Sequence, residues 1–284
     1  MQNKLINVYL IAGQSNAVGF GIDYDGYLSN FDMRAKNGYE NVLYYGSQER
    51  WDNMKLNISF QPLKFGMGAN FDRCGPELGI AKALGDNQEI TAIIKCAWGA
   101  THLYPDIINE ISFTQGTWTP PTYIKNKNID LEKNKMIGRM YSWWEETVTN
   151  ALDLLIKNGY TPVIKGIWWM QGEAEMYSKE MSSKYEELLR TLISDMRNTL
   201  NNITGYNCDT IPFIFGLPSI SDTAANYIED VRDSMKKVAN DPNVVNTDWI
   251  DCISLNKPYD HWHFDGLSQV YLGESFIEKI KKYS

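Results

Sequence analysis

A chain of 284 residues with 43% hydrophobic content is long enough to bury a sizeable core, and it reads as one large domain over residues 1–284. The formal net charge is −8 and the basic residues are scattered, which argues against a nucleic-acid or anionic-membrane surface, where a basic patch is expected. No apolar run approaches the ~20 residues needed to cross a bilayer, and the four cysteines (Cys74, Cys96, Cys208, Cys252) lie too far apart for metal-like spacing, so they read as free or buried thiols.

In chain order, the first element is the apolar run 5–12. After Lys4 it mimics a short signal peptide, but Asn7 interrupts it, and cleavage after Ala12 or Ala17 would cut into or remove the motif that follows. A buried strand is expected instead, and a cytoplasmic chain as given. Residues 20–72, rich in Gly, Asn and aromatics and poorly periodic, are expected to form a long ordered loop. A helix over 76–84 opens on proline and stops at Gly85. A strand over 90–97 is followed by a second long loop at 101–136. Then come a helix over 141–158, with apolar Trp144, Val148, Ala151 and Leu155 on one face, and a strand over 163–170. A helix over 185–200, a strand over 211–217, a helix over 225–239, a strand over 244–250 and a helix over 268–281 complete the order. The five strands are nearly continuous in apolar residues, as in a parallel sheet covered on both faces. The expected fold is therefore α/β, a three-layer α/β/α sandwich on a five-stranded parallel sheet.

In open parallel sheets ligands bind outside the carboxyl ends of the strands. Just past the five predicted strands stand Gly13-Gln14-Ser15-Asn16, Trp98-Gly99-Ala100-Thr101, Gln171-Gly172-Glu173, Pro218-Ser219 and, a little later, Asp260-His261-Trp262-His263-Phe264-Asp265. Small and reactive residues thus converge on one edge. Four of these blocks, Gly13–Asn16, Ala97–Thr101, Trp169–Glu173 and Asp260-x-x-His263-Phe264-Asp265, resemble those of the SGNH-hydrolase superfamily. Within it they are most similar to the branch of sialate O-acetylesterases and acetylxylan esterases, carbohydrate esterase family 6. They occur in the family's order from Gly13 to Asp265.

The resemblance implies a flavodoxin-like SGNH fold and a serine esterase acting on acetylated carbohydrate, with no metal or organic cofactor. Ser15 is the candidate nucleophile, since a serine hydroxyl beside a base is the usual way to activate a weak nucleophile; alone, it would be read as a helix cap. The family pattern selects His263 as base and Asp260 as its orienting carboxylate. A rival reading makes His261 and His263 metal ligands on one extended face. The implied oxyanion donors are the backbone N–H groups of Ser15 and Gly99 and the side-chain amide of Gln171. Ala100 stands where the family often has a second glycine.

Gln14 and Asn16 are expected to brace the nucleophile turn, Glu173 to hydrogen-bond the loops that carry it, and Glu175 to be a solvated charge. His102 is a candidate for the acyl pocket. Loop aromatics, among them Tyr104, Trp118 and Tyr123, are available to stack on sugar rings. A lipase- or thioesterase-like hydrolase with the same triad, or an inactive carbohydrate-binding domain, are the other readings.

Overall fold

The run at 5–12 becomes β1 (Lys4–Gly13), the middle strand of a seven-stranded sheet, in the computed structural model, which describes residues 4–23, 32–87, 89–105 and 115–283. Along β1 the side chains alternate: Ile6, Val8, Leu10 and Ala12 enter one buried cluster, and Tyr9 and Ile11 enter another. Both faces of the strand are therefore covered, which is why its sequence carries almost no polar residue.

The remaining strands are β2 (Gly21–Ile22), β3 (Tyr39–Gln48), β4 (Leu56–Leu63), β5 (Arg73–Cys74), β6 (Thr91–Ala97), β7 (Tyr160–Met170), β8 (Phe213–Leu217) and β9 (Thr247–Asp251). The large sheet runs β4-β3-β6-β1-β7-β8-β9, with every pair parallel except β3–β4. β2 and β5 form a separate antiparallel pair.

The five expected strands are β1, β6, β7, β8 and β9. The sheet holds two more than expected, and both lie in the segment 20–72 that periodicity assigned to a loop. β3 carries Glu40-Asn41 directly after its first residue, Tyr39, and ends on Gly46-Ser47-Gln48, so its apolar run is too short to register. β4 is an antiparallel edge strand, largely exposed, and contains Pro62, a residue that edges tolerate and central strands do not. The segment 101–136 contains a short helix, and its residues 106–114 lie outside the described residues.

Eight α-helices are described: α1 (Ser15–Val18), α2 (Met33–Asn37), α3 (Pro76–Leu84), α4 (Pro121–Asn126), α5 (Arg139–Lys157), α6 (Lys179–Thr204), α7 (Ile228–Ala239) and α8 (Gly266–Ile280). α5, α6 and α7 cover one face of the sheet through residues such as Trp144, Leu192 and Val231. α3 and α8 cover the other through Leu78, Ile80, Leu272 and Phe276. This is the three-layer arrangement. α6 starts six residues before the predicted 185, because Ser178 caps it by accepting from the Met181 N–H. Among the described residues no helix is long and apolar enough to cross a membrane.

α3 and α8 cross almost backbone to backbone. A Cβ at Gly79 would fall 1.9 Å from the Val270 carbonyl oxygen, and one at Gly273 would fall 2.0 Å from that of Pro76. Gly79→Ala and Gly273→Ala should each lower stability by about 1–3 kcal/mol, although alanine is the better helix former. Urea unfolding checks this, and an unchanged or raised midpoint would contradict the tight crossing.

Candidate active site

The parallel register levels the strand ends. Gly13 pairs with Ala97 on one side and Met170 on the other, and Gln48 pairs with Ala97. The residues immediately beyond, Glu49, Trp98-Gly99 and Gln14-Ser15, open together onto a cleft of about 790 Å³. His102, Glu173 and His263 line the same cleft.

The turn that carries Ser15 depends on Gly13. Its φ is +141°, and a Cβ there would lie 2.0 Å from the Met170 carbonyl oxygen, so only glycine lets the chain leave β1 this close to β7. That carbonyl accepts from Gln14 N–H at 2.9 Å. In α1 the first N–H groups to bond back are those of Ala17 and Val18, both to Gln14 O. The Ser15 N–H thus stays outside its own turn's hydrogen bonds.

Below the turn, the fully buried Lys95 donates to Val18 O at 2.7 Å and to Glu77 Oε2 at 2.8 Å. Burial lowers the Lys95 pKa, and the adjacent Glu77 carboxylate opposes that. A buried pair is costly to desolvate and gives little net stability. What it supplies is a fixed anchor for the end of the turn that carries Ser15.

His263 and Asp260 meet as the motif implied. His263 Nδ1 lies 2.6 Å from Asp260 Oδ2, and Asp260 Oδ1 accepts the backbone N–H of Trp262 and of His263, each at 2.7 Å. Partial burial pushes this carboxyl up, but the two backbone donors and the imidazole outweigh it and hold Asp260 below the usual carboxylate range. An ionised Asp260 assigns the proton to Nδ1 and leaves the Nε2 lone pair as the basic site. Phe20 stacks on the imidazole with centroids 4.2 Å apart. The exposed His261 turns elsewhere, its Nδ1 3.2 Å from Ser221 Oγ, and among the described residues no three potential metal ligands converge.

Asn16 joins the two halves of the site. Its Nδ2 donates to Trp262 O at 2.9 Å and to Glu173 Oε1 at 2.8 Å, while its Oδ1 accepts from Phe264 N–H at 3.2 Å. The residue next to Ser15 thereby holds both sides of His263, a stronger tie than the expected local bracing.

The implied oxyanion donors are placed unequally. Gly99 N–H borders the cleft but is engaged by Glu49 Oε2 at 2.9 Å, and Glu49 Oε1 accepts from Trp51 Nε1 at 2.9 Å. Ala100 keeps the left-handed backbone of a glycine, at φ +56°, at a steric cost of about 1 kcal/mol.

The structure does not bring Gln171 to the cleft. The side chain is fully buried, and its Nε2 faces three acceptors: Thr101 O at 3.1 Å, Glu175 Oε2 at 2.6 Å and Gln14 Oε1 at 3.3 Å. Its Oε1 accepts from Tyr185 OH at 3.0 Å, which fixes the amide's orientation. Gln14 lies between Gln171 and the cleft. Glu175 is likewise no solvated charge: fully buried, it also accepts the N–H groups of Leu103 and Tyr104, at 2.5 and 3.2 Å. His102 borders the cleft, nearly buried, with Nδ1 unpartnered among the described residues.

Of the aromatics suggested for sugar stacking, Trp118 is sealed against Trp169, Tyr123 is buried, and Tyr104 donates to Glu180. The cleft is instead walled by Phe20, Trp51, Trp98, Tyr177 and Trp262. Glu49 and Trp51 were not legible because β3, which ends just before them at the sheet edge, was not; Phe20, between α1 and β2, belongs to no motif. Trp262 was in plain view between the two histidines.

Glu173 is 3% exposed, and its Oε2 has no partner among the described residues. Burial pushes its carboxyl up to about 7, against the opposing hydrogen bond from Asn16. A carboxyl whose folded pKa lies above its unfolded value stabilises fully below the unfolded value and loses that contribution as pH rises through the folded one. Glu173→Gln, which still accepts from Asn16, should therefore gain on wild type by up to about 3 kcal/mol as pH climbs from about 5 to 8. Urea unfolding across that range reads the difference. A gap independent of pH would contradict the assignment.

Among curated proteins none matches the chain by sequence. Its fold is similar to that of solved structures. A protein from Arabidopsis thaliana aligns at TM-score 0.65 and 17% identity, covering 97% of this chain and 98% of that one. NanS aligns at TM-score 0.65 and 14% identity, covering 100% and 98%. A carbohydrate acetylesterase from Xanthomonas citri aligns at TM-score 0.59 and 15% identity, covering 96% and 55%. These likenesses show that the chain shares its overall fold with those structures. The family profile described as "Carbohydrate esterase, sialic acid-specific acetylesterase" matches residues 5–282, and a chain matched over nearly its whole length belongs to that family of carboxylic-ester hydrolases.

Proposed function

We propose that the protein is a serine esterase that removes acetyl groups from carbohydrate through an acetyl-enzyme. The observation that carries this is the 2.6 Å contact of His263 Nδ1 with Asp260, on the rim of the cleft that also contains Ser15. A base whose far nitrogen is already committed to a carboxylate offers its near nitrogen to a hydroxyl. Ser15 Oγ attacks the acetyl carbonyl and His263 Nε2 takes its proton. The C–O bond to the sugar then breaks as His263 returns that proton to the departing hydroxyl. Water, deprotonated by the same nitrogen, releases acetate and regenerates Ser15.

The tetrahedral oxyanion needs donors fixed before it forms. Ser15 N–H is one. Gly99 N–H is a second once the Glu49 carboxylate leaves it, because two anions on one donor repel. The third is Gln14 Nε2 in place of the Gln171 amide: Gln14 lines the cleft and Gln171 engages its carbonyl oxygen, which makes the amino group the end available to an oxyanion. Family membership over residues 5–282 and the aromatic walls support a sugar as the leaving group.

Acetate release from acetylated xylo-oligosaccharides and from p-nitrophenyl acetate tests the reading. Ser15→Ala should lose at least about 10⁴-fold in kcat on both; equal turnover by the two proteins would overturn it. Gln14→Ala should lower kcat by about 10²–10³-fold with a smaller change in KM, and near-wild-type kcat would remove Gln14 from the oxyanion site.

A further inference from the structure

We infer that the acetylated carbohydrate this cleft accepts is electrically neutral, so that a sugar bearing its own carboxylate is a poor substrate. This rests on the acetyl-carbohydrate reading and narrows it. It also separates the chain from the sialic acids of its family's description, which carry a carboxylate.

The cleft's ionisable lining is acidic. Glu49 and Glu173 border it, and among the described residues no lysine or arginine does. The residues outside the described set, 1–3, 24–31, 88, 106–114 and 284, contain no Lys, Arg or His. Two guanidinium groups lie behind the Trp51 wall, and both are engaged. Arg50 is paired with Asp52 and donates to Gly66 O at 2.8 Å. Arg73 donates to Phe20 O at 2.9 Å and sits over the Trp51 ring. A carboxylate is ordinarily recognised by such a group, through paired charge-assisted bonds. Here it would meet Glu49, whose Oε2 lies 2.9 Å from Gly99 N, beside the nucleophile. His263 does not supply the missing charge, since it must be neutral to act as base.

A neutral sugar suits the same surface. Its hydroxyls donate to carboxylate oxygens, and its apolar ring face can lie on Trp51, which is 50% exposed, or Trp262, which is 37% exposed. Trp262 is held in place by Tyr177 OH, 2.7 Å from its Nε1, and Tyr177 in turn by Asp222 at 2.8 Å.

The test compares kcat/KM for an O-acetylated sialic acid with that for its carboxamide, which keeps the sugar and acetyl group and removes the charge. An acetylated methyl xyloside and p-nitrophenyl acetate are run beside them. At low salt the carboxamide should exceed the free acid by about tenfold or more, and the ratio should shrink as salt screens the repulsion. Within Glu49→Gln the same ratio should fall, whatever that substitution does to the absolute rates. A free acid turned over as well as its carboxamide would overturn this inference and leave the esterase reading intact. Turnover of none of the sugars, with p-nitrophenyl acetate still cleaved, would overturn both.

Discussion

The carboxamide of Asn16 joins what the fold would otherwise keep apart. Ser15 sits at the end of β1, and His263 comes from a loop about 250 residues later, after β9. With one side chain bonded to Trp262 O, Phe264 N–H and Glu173, the turn that carries Ser15 and the loop that carries His263 are tied together. Preorganisation of this kind matters because small displacements of a nucleophile from its base cost orders of magnitude in rate. The tie works only because Gly13 lets the turn leave β1 tight against β7 and because Lys95 anchors its far end at Val18 O.

A second layer of buried polar groups does for the cleft floor what Asn16 does for its rim. Glu175 holds the amide of Gln171 and the N–H groups of Leu103 and Tyr104, and Gln171 in turn holds Gln14. Every atom of the Gln171 amide has a partner, so the orientation of Gln14 is inherited from residues remote from the cleft. Buried polar networks of this kind give little net stability, but they specify geometry when fully satisfied. Glu173 is the exception. With one oxygen bonded and the other bare, it is the strained member of the set, and its raised pKa is the electrostatic expression of that burial.

Much of this was legible in the sequence. The five both-sides-buried strands announced themselves as apolar runs, and the blocks just past them led to Ser15, Gly99, Asp260 and His263 without any structure. β3 and β4 were hidden for opposite reasons. β3 buries Ser47 and Gln48, polar residues satisfied by contacts made only in the fold, such as Gln48 Nε2 to Met67 O and Gly68 O. β4 is an edge and needs no apolar run. Missing β3 meant missing Glu49, and with it the carboxylate that engages Gly99. Gln171 and Glu175 were misplaced because a strand-end polar residue in a motif does not reveal which way its side chain turns. That is decided for Gln171 by the Thr101 carbonyl and the Tyr185 hydroxyl, and for Glu175 by the N–H groups of Leu103 and Tyr104.

The claim on which the rest depends is that Ser15 is a nucleophile activated by His263, and stoichiometric labelling with a p-nitrophenyl phosphonate addresses it directly. Peptide mass spectrometry should find one phosphonate per chain, on Ser15, with labelling slowed drastically in His263→Ala. A protein that stays unlabelled, or that is modified at another residue, would contradict the account.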